Sequence, residues 1–322
     1  MARYTGVYGF PESAEGARRL AEALGVPCHI AELHRFPDGE SLVRLPQAAD
    51  RPVDRAVVYR SLDRPNDKLI ELTLAASVLR RHGATELCLV APYMAYMRQD
   101  AIFRPGEPVS QTVVGDWLGR LFDRFVCVEP HLHRTHTLDE VFVGKPSTAL
   151  SGAGAIAECL RADGVPPDAV VVGPDEESAP LVEAVAGPLG LATVVGRKER
   201  RGDRDVTVVL PDGAPLAGRP VVIVDDVISS GETIFSCARA ARAAGAASIR
   251  VFGVHALFGA DVSARFEAEG LGVPVSCDGV PHPSNALPLA RLIAEVLTAD
   301  APTTGVLAAN DALTTNDALT RR

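Results

Sequence analysis

Val221-Val-Ile-Val-Asp-Asp-Val-Ile-Ser-Ser-Gly-Glu-Thr233 is the stretch from which the fold reads outward. Four consecutive aliphatic residues, Val221–Val224, suit a strand buried on both faces, as in a parallel sheet. The strand runs into two carboxylates, Asp225 and Asp226, and then into a loop of Ser229, Ser230, Gly231, Glu232 and Thr233. A helical pattern over Thr233–Ala246 follows. In an open α/β sheet, ligands bind beyond the carboxyl ends of the strands. A Ser/Gly/Thr loop entering a helix offers backbone N–H groups, hydroxyls and a positive dipole end to an anion. Gly231 lets the backbone approach closely. The paired acids can accept hydrogen bonds from vicinal hydroxyls of a sugar or hold a hydrated metal. An ordinary Ser/Thr helix cap accounts for one Ser-Gly turn but not for the whole pattern.

The same alternation extends in both directions. Apolar runs at Ala56–Tyr59, Leu87–Ala91, Phe125–Val128, Ala169–Val172, Thr193–Val195, Val206–Leu210 and Val251–Val254 read as further strands. Asp67–Arg81 reads as an amphipathic helix with Leu69, Leu72, Leu74, Ala76 and Leu79 on one side, and Ser263–Glu269 and Ala286–Leu297 as shorter ones. Strand–helix alternation of this kind is α/β, with right-handed crossovers. It occurs twice. One set ends near Val143, and the Gly/Ser/Ala stretch Ser147–Gly154 precedes the second. The expected division is residues 1–146, 147–300 and a tail, 301–322, in which Asn-Asp-Ala-Leu-Thr repeats. The repeat itself, Asn310–Thr314 and Asn316–Thr320, reads as a loose end or a terminal helix.

Length and composition bound the function. The 322 residues suffice for two domains with cores of their own. With 32 Lys+Arg against 41 Asp+Glu, the net charge of −9 argues against a nucleic-acid or anionic-membrane surface. It leaves room for a small polyanion held by local cations or a metal. No apolar run approaches the roughly 18–20 residues of a membrane span, and no secretory leader is visible. The six cysteines form no CxxC pair, and several lie in apolar runs, which reads as reduced core thiols of a cytoplasmic protein.

Further segments narrow the class. Phe36-Pro-Asp-Gly-Glu40 lies early, Pro65-Asn-Asp67 opens a helix, and Tyr93-Met-Ala-Tyr-Met-Arg-Gln-Asp100 leads to Phe103-Arg-Pro-Gly-Glu-Pro-Val-Ser110. Glu129-Pro-His131 closes a strand. The 221–233 segment resembles the phosphoribosyl-pyrophosphate loop of the type I phosphoribosyltransferase fold. Together, in this order, the segments are similar to the ribose-phosphate pyrophosphokinase family, over most of the chain from Phe36 to Leu297. The resemblance implies two tandem phosphoribosyltransferase-like α/β domains, each a mainly parallel sheet flanked by helices. The first would bind ATP and the second ribose 5-phosphate.

Carried over residue by residue, it implies Phe36 stacking on adenine with Asp38 and Glu40 nearby, on a loop lent by a neighbouring subunit. Arg98 and Gln99 would contact ATP phosphate and base, and His131 would lie beside Mg²⁺-ATP. Asp175, in Gly173-Pro-Asp-Glu-Glu-Ser178, would be a metal-proximal acid, although Glu176–Ser178 depart from the glycine-rich family version. Gly196-Arg-Lys-Glu-Arg-Arg-Gly-Asp-Arg204 matches a mobile catalytic loop, with Lys198 and Arg200 as its Lys-x-Arg pair. Its five cations and two anions make a local +3 in an acidic chain. Asp225, Asp226 and Ser229–Thr233 (Ser229, Ser230, Gly231, Glu232, Thr233) would hold the ribose and its phosphate. Glu232 stands where glycine is commoner, and an acid beside a phosphate cradle is tolerable only if it points outward.

The resemblance further implies Mg²⁺ as cofactor, at His131 and Asp175, and a homo-oligomer built from dimers, hexamers among the possibilities. The alternatives are a phosphoribosyltransferase, a non-catalytic regulatory paralogue, and a zinc hydrolase using His131, His133 and His136. Absence of a Gly-x-x-x-x-Gly-Lys-[Ser/Thr] segment argues against a Walker-type kinase.

Overall fold

The computed structural model describes residues 4–46, 48, 53–200, 206–299 and 305–307, with backbone alone for Arg200, Val206 and 305–307. Two compact units result.

The first unit carries β1 (Gly6–Gly9), α1 (Ala14–Leu24), β2 (Cys28–Ile30), the hairpin β3 (Glu32–Arg35) and β4 (Ser41–Arg44), β5 (Arg55–Tyr59), α2 (Pro65–Arg81), β6 (Glu86–Ala91), α3 (Ser110–Gly119), β7 (Arg124–Val128), α4 (Leu138–Val141) and β8 (Ser147–Leu150). The second carries α5 (Ala153–Ala162), β9 (Val170–Gly173), α6 (Ala179–Ala186), β10 (Ala192–Val195), the hairpin β11 (Arg197–Arg200) and β12 (Val206–Val209), β13 (Pro220–Ile228), α7 (Glu232–Ala243), β14 (Ser248–Ala256), α8 (Ala260–Ala268), β15 (Val275–Cys277) and β16 (Asn285–Leu287). The chain then returns to the first unit with α9 (Ala290–Thr298) and β17 (Gly305–Leu307).

The first sheet is parallel throughout, in the order β17-β8-β7-β6-β5-β1-β2. The second, also parallel, runs β10-β9-β13-β14-β15-β16. Runs such as Val57–Tyr59, Leu87–Ala91 and Val221–Val224 are buried end to end because helices cover both sheet faces. In α2, Leu69, Leu72, Ala75, Ala76 and Leu79 form the buried stripe. Leu74 falls on the outer face instead, because at about 100° per residue it lies opposite Leu72.

The units divide at Leu150/Ser151 and again at Pro288/Leu289, not at 146/147 and 300/301. Ser147–Leu150 looks like a polar linker but is a fully buried strand, since the Ser147 hydroxyl is satisfied by Asp139 Oδ1 at 2.5 Å. The expected helix Ala286–Leu297 begins only at Ala290, with Asn285–Leu287 taken into the second sheet. Its apolar face, Ile293, Ala294, Val296 and Leu297, is buried in the first unit, where Arg124 Nη2 donates to Val296 O at 3.0 Å. Gly305–Leu307, within the expected tail, pairs with β8 as an edge strand of the first sheet. The Asn310–Thr320 repeat lies outside the described residues.

Candidate active site

In the second unit the chemistry gathers at the carboxyl end of β13. Val221–Ile223 pair with Val170–Val172 of β9, which ends at Gly173, so the following Pro174-Asp175 turn comes level with Asp225 and Asp226. The Glu176–Ser178 stretch packs closely on the end of β9: a Cβ on Gly173 would lie 2.1 Å from Ser178 Oγ. Asp175 caps that turn, accepting from Ser178 N through Oδ1 at 3.2 Å. Its other oxygen, Oδ2, faces Lys198 Nζ at 3.8 Å. Lys198 sits on β11 opposite Val208, and the chain enters that hairpin through a Gly196 N–H bond to Gly173 O at 2.8 Å. The side chain of Arg200 and residues 201–205, the rest of the expected catalytic loop, lie outside the described residues.

Burial pushes the Asp225 carboxyl well above its usual range, and the neighbouring Asp226 and Asp175 push it further, with Lys198 opposing them. The Asp226 N–H donates to Asp225 Oδ1 at 3.1 Å. Asp226 and Asp175 lie near enough to Asp225 to raise its pKa, and carboxylate oxygens of this kind suit a divalent cation or sugar hydroxyls. A folded-state pKa raised above the unfolded value contributes stability present at low pH and lost as pH rises through it. We therefore expect Asp226→Asn, which removes one repelling charge, to raise the metal-free melting temperature at pH 8 by about 2–4 °C, on the order of 1 kcal/mol. Near pH 4, where the unfolded carboxyl is itself about half protonated, the gain should vanish. Calorimetry at the two pH values, with EDTA, checks it; equal gains at both would refute the repulsion.

Beyond the acids, Ser229 and Ser230 are exposed and Gly231 is buried in the left-handed region at φ +74°. A Cβ there would lie 2.7 Å from the Phe235 ring, so the turn into α7 requires glycine. Thr233 is half-buried in the first turn. The Glu232 carboxylate is bound by the Arg265 guanidinium, which holds it below the usual carboxylate range.

In the first unit, the three non-glycine residues of positive φ among those described are Arg64 (φ 50°), Tyr96 (φ 62°) and Glu129 (φ 40°). They follow the carboxyl ends of the neighbouring strands β5, β6 and β7, where an α/β sheet binds ligands. Tyr96 OH donates to Asn66 Oδ1 at 2.6 Å, tying the loop after β6 to the first turn of α2. Arg98 and Gln99 are exposed there, with Gln99 Oε1 accepting from Ser110 Oγ at 2.5 Å. His131 is half-buried beside His133, ring centroids 6.1 Å apart, and His136 does not join them. His131 and Asp175 belong to different units.

Phe36-Pro-Asp-Gly-Glu40 is the tip of the β3–β4 hairpin, closed by Phe36 N to Glu40 O at 2.8 Å and by Glu40 N to Asp38 Oδ1 at 3.1 Å. Phe36, Asp38 and Glu40 are all exposed. The stem is moored on α2: Ser41 Oγ donates to Glu71 Oε1 at 2.9 Å, and Arg35 pairs with Asp67 at 2.6 Å. Glu71 in turn holds Arg60 Nη2 at 2.5 Å, and Arg60 also bonds Glu12 Oε1 at 2.7 Å over the Phe10 ring. Sequence reasoning passed over this buried network. Its signal was a charge directly after a wholly apolar run and an acid within a buried helix stripe.

All six cysteines are free thiols, and burial pushes Cys127 and Cys237 far above the range of a reactive thiol.

A parallel sheet whose central strand ends in paired acids and a Ser-Ser-Gly turn into a helix defines the type I phosphoribosyltransferase class. Residues 145–261 match a model described as the phosphoribosyl transferase domain, and residues 7–121 match the N-terminal domain of ribose phosphate pyrophosphokinase. The chain is 34 % identical over 287 residues to a ribose-phosphate pyrophosphokinase of Methanopyrus kandleri, covering 89 % of this chain and 96 % of that one. It is 32 % identical over 285 residues to ribose-phosphate pyrophosphokinase 2 of Archaeoglobus fulgidus, covering 88 % and 97 %. The phosphoribosylpyrophosphate synthetase structure from Mycobacterium smegmatis shares the fold at TM-score 0.77 and 24 % identity, over 90 % of this chain and 96 % of that one. The chain belongs to the ribose-phosphate pyrophosphokinase family.

Proposed function

We propose that this chain is a ribose-phosphate diphosphokinase, which transfers the pyrophosphoryl group of ATP to ribose 5-phosphate. The observation that carries the reading is the family match over 89 % of the chain together with the acid pair, phosphate turn and Lys198 at one sheet end. The 1-hydroxyl oxygen of the sugar bonds to the β-phosphorus and loses its proton. The bond from that phosphorus to the bridging oxygen of the α-phosphate breaks, and AMP leaves. The product is 5-phosphoribosyl 1-pyrophosphate.

The protein's part in such a transfer is positioning and charge neutralisation. Ser229–Thr233 would cradle the 5-phosphate at the start of α7, and Asp225 and Asp226 would accept from the ribose hydroxyls. Phe36, Asp38, Glu40, Arg98, Gln99 and His131 would hold ATP, the hairpin tip serving a neighbouring copy in a dimer-based homo-oligomer. Lys198, with Arg200, would meet the charge that develops on the transferred group. Carboxylate oxygens such as those of Asp175 are hard donors of the kind Mg²⁺ takes, and the ion would supply neutralisation of the triphosphate when bound. Buried free thiols suit a cytoplasmic setting. No described helix is long and apolar enough to cross a membrane.

The N-terminal match favours this reading over a stand-alone phosphoribosyltransferase, and the retained Lys198 favours it over a non-catalytic paralogue. Incubation with ATP, Mg²⁺ and ribose 5-phosphate, followed by phosphorus NMR, tests it. A pyrophosphoryl-sugar signal with AMP is expected. ADP would point to an ordinary kinase, and no turnover would count against the activity.

A further inference from the structure

Glu232 opens α7 at the point where the phosphate turn ends. A carboxylate in the first turn of a helix competes with a bound phosphate for the same positive dipole end, and repels it. Here that competition is countered from a different element. Arg265 of α8 takes both carboxylate oxygens, Nη1 donating to Oε1 in a very short contact and Nη2 to Oε2 at 3.1 Å. The guanidinium is itself fixed, lying over the Phe235 ring at 4.2 Å from its centroid. Phe235 is buried, packs against Phe266 at 4.6 Å between centroids, and closes on Gly231. The phosphate turn, the aromatic cluster and the ion pair are therefore one packed assembly within the second unit.

We infer that Arg265 is a positioning residue for ribose 5-phosphate binding: it neutralises the Glu232 carboxylate and draws it off the start of α7. The turn can then accept a phosphate although it carries an acid in place of the glycine commoner in the family. The inference rests on the reading that Ser229–Thr233 holds the 5-phosphate. A planar two-pronged donor suits this task better than lysine, because it satisfies both carboxylate oxygens and lies flat on the ring at once.

The test is steady-state AMP formation in Arg265→Gln, Glu232→Gln and the double variant, with wild type as control. Arg265→Gln frees a negative charge beside the phosphate and should raise KM for ribose 5-phosphate about tenfold, with kcat and KM for ATP within about twofold of wild type. Raising the salt concentration should shrink the defect. Glu232→Gln leaves the cation in place and should lower the same KM about threefold. The double variant should return to within about twofold of wild type, the coupling expected of two groups acting as one unit.

An unchanged KM in Arg265→Gln overturns the inference. So does an equal defect in the double variant, which would mean that Arg265 acts through packing on Phe235 or touches the phosphate itself. Should Arg265→Gln fail to fold, Glu232→Gln decides alone: an unchanged or raised KM there also overturns it. Wild type that makes no AMP from these substrates would instead count against the activity reading, which separates the two failures.

Discussion

Lys198→Ala should lower kcat for AMP formation by at least about 10²–10³-fold, the usual loss when one preorganised donor to developing charge is removed. Lys198 is the described cation that faces the acid cluster, 3.8 Å from Asp175 Oδ2 and opposing the repulsion on Asp225. It projects from a hairpin strand outside the central sheet and is a quarter exposed, so its removal leaves the core untouched. Losing the charge that opposes the repulsion on Asp225 should lower the melting temperature by no more than about 2–4 °C, the counterpart of the gain expected for Asp226→Asn. KM for ribose 5-phosphate should move far less than kcat, because the charge that Lys198 meets is largest in the transition state. Turnover within tenfold of wild type would remove Lys198 from the catalytic group.

Gly231→Ala should damage stability and binding together. Two costs add at this position. An alanine held at φ +74° pays about 1–2 kcal/mol of backbone strain. Its Cβ would also lie 2.7 Å from the Phe235 ring and 3.2 Å from Val262 Cγ1, an overpacking worth about 1–3 kcal/mol. The sum, about 2–5 kcal/mol, corresponds to a melting temperature lower by roughly 5–15 °C in a unit of this size. Relief requires either that Phe235 withdraw, carrying the Arg265 stack with it, or that the turn rotate and misdirect its N–H groups. Either route should weaken ribose 5-phosphate binding by about two orders of magnitude, since positioned charge-assisted bonds to a phosphate are strong and geometry-dependent. Calorimetric melting with a ribose 5-phosphate titration measures both effects. A variant with wild-type melting and affinity would show that the turn tolerates a side chain.

Much of this was legible in the chain itself. The strand Val221–Val224, the acids after it and the turn into α7 read directly, because a strand buried on both faces must be apolar throughout and a phosphate turn must carry small and hydroxylated residues. Short or polar elements escaped. Ser147–Leu150 read as a linker because two hydroxyls concealed a buried strand, and the first strand, Gly6–Gly9, contains two glycines. Period and polarity report a residue's own preference, and four-residue elements are decided by the partners that cover them.

The acid pair, the Ser-Ser-Gly turn, the Phe36–Glu40 motif and the family they define were legible in the sequence alone, since each is a local pattern carried by adjacent residues. Tertiary structure decided what joins them: that Asp175 and Lys198 stand beside Asp225, that Glu71 and Arg60 moor the hairpin, and that Arg265 pairs with the Glu232 carboxylate at the start of α7. Those pairings span 11 residues, for Arg60 and Glu71, to 50, for Asp175 and Asp225. They follow from which strands and helices become neighbours in the sheet, a choice made by the burial of whole apolar faces that no local spacing records.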